Sequence, residues 1–170
     1  AQMCREACEA AHRLGVKVSC DLNYRKYLWT PEAAQSVMRP LMQYVDVLIA
    51  NEEDSEKVLG ISARDTDIYA GKLSVDGYTE LARKLTDTFG FEKVAITLRE
   101  SISASVNNWS GLLYSSGQPH LSKKYTINIV DRVGGGDSFA SGLIYALMKD
   151  MPDQQALEYA VAASCLKQTM

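Results

Sequence analysis

Asp131-Arg132-Val133-Gly134-Gly135-Gly136-Asp137-Ser138-Phe139-Ala140-Ser141-Gly142 joins a run rich in β-branched residues, Tyr125 to Val130, to a small-residue amphipathic stretch, Ser138 to Met148. The passage predicts a loop feeding a helix N-terminus. Gly134, Gly135 and Gly136 remove every Cβ at the turn, so backbone N–H groups can converge on one point without steric cost. The first N–H groups of a helix lack intrahelical partners, and the helix dipole adds partial positive charge there. Together they form an anion hole suited to phosphate. Asp137 places a carboxylate beside that hole, and two readings stand. It is either a helix cap or a general base next to the phosphoryl group being transferred.

Composition narrows the partners. The chain has 170 residues, 46% of them hydrophobic, and a net charge of −3, which suits one compact domain with a real core. No basic run or basic–aromatic stripe is present, which argues against nucleic acid as a partner. No apolar run approaches a membrane span, so no membrane partner is expected. Cys4, Cys8, Cys20 and Cys165 lack framework spacing, which points to a reducing compartment and a cytoplasmic location. Cys4, Cys8 and His12 share a helical stripe, but no second ligand pair lies nearby, and cysteines packed as small hydrophobes are a stronger reading than a metal site. There is no G-x-x-x-x-G-K-[ST], no G-x-G-x-x-G after the first strand and no G-x-S-x-G. P-loop, dinucleotide and serine-hydrolase chemistries are therefore unsupported.

Along the chain, strand and helix patterns alternate, predicting a parallel sheet covered on both faces. Met3 to Leu14 reads as a helix, Val16 to Asp21 as a strand, and Thr30-Pro31-Glu32 as the cap and first turn of the next helix. Asp46 to Ala50 and Lys93 to Leu98 read as buried strands. Ser62 to Val75 carries no motif and reads as a surface insertion. A hairpin is expected to turn at Ser110-Gly111, with a further strand around Leu121 to Tyr125. Helices are expected over Asp137 to Lys149 and from Asp153 onward.

Ligands of open α/β sheets bind at the C-terminal ends of the strands, so the residues there are candidates. Asp21-Leu22-Asn23-Tyr24-Arg25 offers polar groups and one guanidinium, a fork for a carboxylate or phosphate. Equally, Asp21 and Asn23 could close turns with Arg25 in solvent. Asn51-Glu52-Glu53-Asp54 opens a helix with three carboxylates, suited to the dipole or to an Mg²⁺ ion shared with phosphate. Thr97, at the end of the third strand, and Arg99 and Ser101 just beyond it are either nucleotide contacts or ordinary turn residues.

Gly134 to Asp137, followed by Ser-Phe-Ala-Ser-Gly-Leu, resembles the GAGD signature of the PfkB/ribokinase sugar kinases, with Gly135 where that family usually has Ala. Asp21 to Arg25, with Leu28-Trp29 beyond it, is similar to the DxNxR…LW stretch of the 2-keto-3-deoxygluconate kinase branch, as is Arg99-Glu100-Ser101. The resemblance implies a ribokinase-like three-layer α/β/α fold, with a mostly parallel sheet and an antiparallel hairpin edge. It makes residues 1–170 the C-terminal part of a single kinase domain whose N-terminal part and lid are missing. Both ends, which read as interrupted helices, agree with that expectation.

The same resemblance implies ATP-dependent phosphorylation of a sugar hydroxyl, with 2-keto-3-deoxygluconate going to its 6-phosphate. Asp137 becomes the catalytic base and also touches the sugar, while Gly134, Gly135 and Gly136 form the anion hole. Arg25 becomes the partner of the sugar carboxylate. Asn23, Tyr24, Asn51, Thr97, Arg99 and Ser101 become nucleotide or phosphate contacts. Glu53 and Asp54 become indirect Mg²⁺ ligands, Asp54 standing where the family has Glu. The implied partners are a small sugar acid and ATP, with a lid-mediated homo-oligomer possible by resemblance. Alternatives are another family member, a fructokinase or ribokinase, or a non-catalytic sugar- or nucleotide-binding module.

Overall fold

The computed structural model describes residues 1–62 and 75–170. Residues 63–74, nearly all of the expected surface insertion, lie outside the described residues. Two compact units divide the chain, Ala1–Ala95 and Ile96–Met170.

In the first unit, α1 (Gln2–Arg13) leads through Gly15, at φ 68°, to β1 (Ser19–Asp21). Helix α2 (Pro31–Leu41) starts where expected: the Thr30 side chain accepts the Ala33 N–H at 3.3 Å, and Pro31 needs no N–H partner at the first helical position. Strand β2 (Val47–Ala50) is buried at all four residues and pairs in parallel with β1, Ser19 opposite Val47 and Asp21 opposite Ile49. Full burial on both faces is what a parallel strand's continuous apolar run encodes. A short α3 (Glu52–Asp54) widens into a π-helical turn (Ser55–Leu59) ended by Gly60 at φ 68°. Gln35 and Arg39 of α2 donate to the carbonyls of Lys57 and Leu59, which ties that turn to the helix. α4 (Val75–Phe89) buries Leu81, Ala82 and Leu85, and β3 (Lys93–Ser101) begins this unit's last strand.

In the second unit, β3 continues to Ser101, three residues past the expected end. β4 (Val106–Ser115) pairs antiparallel with both β5 (Gln118–Leu121) and β6 (Tyr125–Asn128). The hairpin therefore turns at Ser116-Gly117, at φ 52° and 76°, and not at Ser110-Gly111. Both dipeptides are Ser-Gly, and packing distinguishes them. A Cβ on Gly111 would lie 3.1–3.3 Å from Leu157, Val161 and Phe139, so this glycine lets helices press on a straight strand. Two consecutive positive φ values at 116 and 117 make the tight turn whose twist suits a hairpin. The strand expected around Leu121 to Tyr125 is two strands instead, separated by Ser122-Lys123-Lys124. Parallel pairing and an antiparallel edge are thus both present, as expected.

Helices α5 (Gly135–Met148) and α6 (Asp153–Gln168) complete this unit. They approach closely through Gly142, where a Cβ would sit 3.0 Å from Ala160 Cα and 3.2 Å from Ala163 Cβ. Phe139, Leu143, Leu157, Ala160 and Val161 are fully buried beneath them.

Candidate active site

The glycine turn delivers the chain into α5. Gly134 is the N-cap at φ 78°, a left-handed conformation that costs glycine nothing. The Gly135 N–H closes the turn on the Arg132 carbonyl at 3.3 Å, and the regular helix bonding begins with Ser138 N–H to Gly134 O at 2.9 Å. Among the described residues, the N–H groups of Gly136 and Asp137 meet no acceptor. These are the orphan donors of the first turn, and they carry its partial positive charge.

Asp137 is exposed, and among the described residues no hydrogen bond holds its carboxylate. The capping position belongs to Gly134, which leaves the capping alternative without support. A Cβ on Gly134 would lie 3.9 Å from Asp137 Oδ2, so the carboxylate leans back over the turn. Beside it an open groove of about 400 Å³ runs past Ser138, Ser141, Tyr145 and Tyr159, whose two rings stack at 5.5 Å. The turn's approach is also fixed: Asp131 accepts the Val133 N–H at 2.9 Å and pairs with Lys167 at 3.0 Å, both of which lower its pKa.

In the first unit, Asn23, Tyr24, Asn51 and Asp54 come together. Leu22 extends the β1 ladder by donating to Ile49 O at 3.1 Å, and Asn23 then leaves the strand at φ 41°. Asn tolerates that left-handed conformation better than most residues. Asn51 caps α3 by accepting the Asp54 N–H at 2.8 Å, while its amide donates to Asp54 Oδ2 at 2.9 Å. Asp54 Oδ1 accepts the Tyr24 N–H at 3.2 Å, and the Tyr24 hydroxyl donates to Trp29 O at 3.0 Å. The loop after β1 is therefore pinned at both ends. Arg25 projects from it exposed, one Nη1 on the neighbouring Tyr24 carbonyl at 3.1 Å.

Asp54 is buried, and burial pushes its carboxyl up to about 6, against the opposing pull of the Tyr24 N–H. A carboxyl raised in the folded state binds its proton there before it does in the unfolded chain. Stability therefore rises as pH falls from about 6 towards the ordinary value, by at most about 1.4 kcal/mol per pH unit. Denaturant unfolding between pH 4 and 7 is expected to show this slope in the parent and its reduction in Asp54→Asn. Parallel curves would place the raised group elsewhere.

As for a metal, both Asp54 oxygens already accept protein donors, whereas Glu53 is exposed. Among the described residues no group of three or more His, Cys, Asp or Glu converges on one point, and α1 buries no residue, so Cys4 is exposed rather than part of a core. A hard cation held largely by water and phosphate oxygens, with Glu53 or Asp54 acting through water, fits this donor set.

Thr97 lies on β3 as expected, Arg99 and Ser101 lie on it rather than in a loop, and their alternation puts all three on one face. Lys124 pairs with Glu100 of β3 at 3.4 Å across the sheet edge, with both side chains open to solvent. Sequence reasoning missed Ser164 and Gln168, both buried beneath the glycine turn. Ser164 left one signal, as the polar residue within the small apolar run 160–166, and Gln168, next to Lys167, left none.

The pfkB family carbohydrate kinase model matches residues 1–169. The crystal structure of a 2-dehydro-3-deoxygluconokinase from Thermotoga maritima aligns at a TM-score of 0.88 and 54% identity, covering 97% of this chain and 48% of that one. A 2-dehydro-3-deoxygalactonokinase from Haloferax volcanii is 32% identical over 165 residues, 97% of this chain and 45% of the relative. A 5-dehydro-2-deoxygluconokinase from Geobacillus kaustophilus is 28% identical over 161 residues, 94% of this chain and 43% of the relative. The chain thus spans about half the length of the relatives it matches. No helix among the described residues is long and apolar enough to cross a membrane.

Proposed function

Because this chain belongs to the pfkB family of carbohydrate kinases and has their ribokinase-like three-layer α/β/α fold with a mixed sheet, we propose that it carries the phosphoryl-transfer centre of an ATP-dependent sugar-acid kinase. The observation that carries the proposal is the exposed carboxylate of Asp137 beside the unpartnered N–H groups of Gly136 and Asp137. Residues 1–170 then form the C-terminal part of one kinase domain, and a homo-oligomer and a cytoplasmic setting belong to the same proposal.

In this mechanism a sugar hydroxyl attacks the γ-phosphorus of ATP in line. The new O–P bond forms as the bond to the β-phosphate oxygen breaks, ADP leaves, and the hydroxyl proton passes to Asp137. A hydroxyl is far less acidic than a carboxylic acid, so the transfer comes late, as the bond to phosphorus forms. Gly136 and Asp137 N–H groups, with the Gly134 turn behind them, hold charge that builds on the phosphoryl oxygens. Mg²⁺, when bound, neutralises the phosphates. Asn23, Tyr24 and Asn51 are assigned to the phosphate path, as are Thr97, Arg99 and Ser101 to the nucleotide, with Glu53 and Asp54 assisting the metal through water.

The substrate we favour is 2-keto-3-deoxygluconate, another name for 2-dehydro-3-deoxygluconate, phosphorylated on its 6-hydroxyl. Support comes from relatives named for dehydro-deoxy sugar acids and from Arg25, an exposed guanidinium on a pinned loop. The Haloferax relative's name makes the galactonate epimer the second substrate to try. The test is an ATP- and Mg²⁺-dependent assay of the full-length protein on both acids, fructose and ribose. Turnover confined to the acids is expected, and equal rates on neutral sugars would remove the carboxylate from the recognition scheme. Arg25→Ala is expected to lower kcat/KM for the acid by about 10- to 100-fold, the worth of a hydrogen bond to a charged group. An unchanged value would release Arg25 from that role.

A further inference from the structure

Resting on the phosphoryl-transfer proposal above, we infer that Ser164, held by Gln168, is a positioning residue that aims the Gly136 N–H at the phosphoryl group. Ser164 is fully buried in α6, and its hydroxyl donates to the Gly135 carbonyl at 2.7 Å. The Gly135 C=O and the Gly136 N–H belong to one peptide plane, and in a trans peptide they point in opposite directions. No peptide bond among the described residues is cis. Anchoring that carbonyl inward therefore fixes the N–H outward, on the side where the donor meets no protein acceptor.

Gln168 sets the polarity of the anchor. Its Nε2 donates to Ser164 Oγ at 3.3 Å and to Ser164 O at 3.4 Å, so the serine oxygen accepts on one side and gives its own proton to Gly135. A helical serine commonly donates to the carbonyl one turn back, yet here it reaches 29 residues along the chain. The Gln168 backbone carbonyl also accepts the N–H groups of Val130 at 2.9 Å and Asp131 at 3.3 Å, gripping the entry to the same turn. Gln168 fills the space that a side chain at position 135 would take, since a Cβ on Gly135 would lie 3.0 Å from its Cγ and Cδ. Gly135 and Gln168 are thus a matched pair. Chained hydrogen bonds polarise one another, which strengthens the terminal donor.

The experiment compares parent, Ser164→Ala, Ser164→Thr and the pair Gly135→Ala and Gln168→Ala, singly and combined, in the full-length protein. Two readouts are taken: kcat and KM, and the amide ¹H–¹⁵N shift of Gly136 during titration with ATP. Ser164→Ala is expected to lower kcat about tenfold, the scale of one weakened oxyanion-type donor, with KM for the sugar within twofold. It should also shrink the Gly136 shift. Ser164→Thr keeps the hydroxyl and is expected to restore both. Gly135→Ala is expected to be rescued in part by Gln168→Ala, which opens the room its methyl needs. A Ser164→Ala protein that melts lower but keeps the parent kcat and Gly136 shift overturns the inference. Should the parent show no turnover, the phosphoryl-transfer proposal fails, and the Gly136 titration then decides the inference alone: loss of the shift in Ser164→Ala upholds it, and an unchanged shift overturns it.

Discussion

Asp137→Asn is expected to lower kcat by about a thousandfold, within the range that a positioned proton acceptor contributes, while binding of ATP and sugar changes by no more than a few fold. The amide matches the carboxylate in shape and leaves the neighbouring N–H groups and glycines untouched. It cannot take a proton at the pH of the reaction. Its one structural consequence is the loss of a negative charge in the first turn of α5, worth roughly 0.3–1 kcal/mol of helix stability. Steady-state kinetics with isothermal titration of ATP separates the two effects. A kcat within tenfold of the parent would make Asp137 a charge at a helix end and nothing more, and binding without turnover in the parent would favour the non-catalytic module.

The second large effect is structural. Gly142→Val is expected to destabilise the protein by about 3 kcal/mol, the upper end of the usual cost of overpacking. Its first added atom would meet Ala160 Cα, a backbone atom that cannot swing aside, at 3.0 Å. Separating α5 from α6 to make room would open the layer that buries Leu143, Leu157 and Val161. Gly136→Ala is the control, because nothing lies within 4 Å of a Cβ there. Urea unfolding monitored by circular dichroism is expected to move its midpoint sharply for the first variant and hardly at all for the second. Equal shifts would show that the contact between these two helices is not the constraint.

How much of this was legible beforehand follows from how local each cause is. The glycine turn and the Thr30 cap depend on residues adjacent in the chain, and both stand where the sequence puts them. The hairpin does not. Ser110-Gly111 and Ser116-Gly117 carry the same local signal, and the helices packed on Gly111 decide between them. Arg99 and Ser101 read as loop because Leu98 ends the apolar run, yet strand pairing carries β3 on to Ser101.

The candidate site divides in the same way. Asp137 and its glycines announce themselves by type and spacing, whereas Ser164 sits 29 residues from the carbonyl it holds. The link between Tyr24 and Asp54 spans 30 residues. Nothing in either segment alone could reveal that the Asp54 carboxylate organises the loop bearing Arg25.

The most direct test of the phosphoryl-transfer centre is a crystal structure of the full-length protein with ADP, Mg²⁺, aluminium fluoride and 2-keto-3-deoxygluconate. The planar fluoride stands in for the phosphoryl group in flight. It is expected within about 3 Å of the Gly136 and Asp137 N–H groups, the reach of an oxyanion-type donor, with the sugar's 6-hydroxyl on the Asp137 carboxylate. A fluoride bound elsewhere, or a sugar hydroxyl held by another acid, would contradict the account.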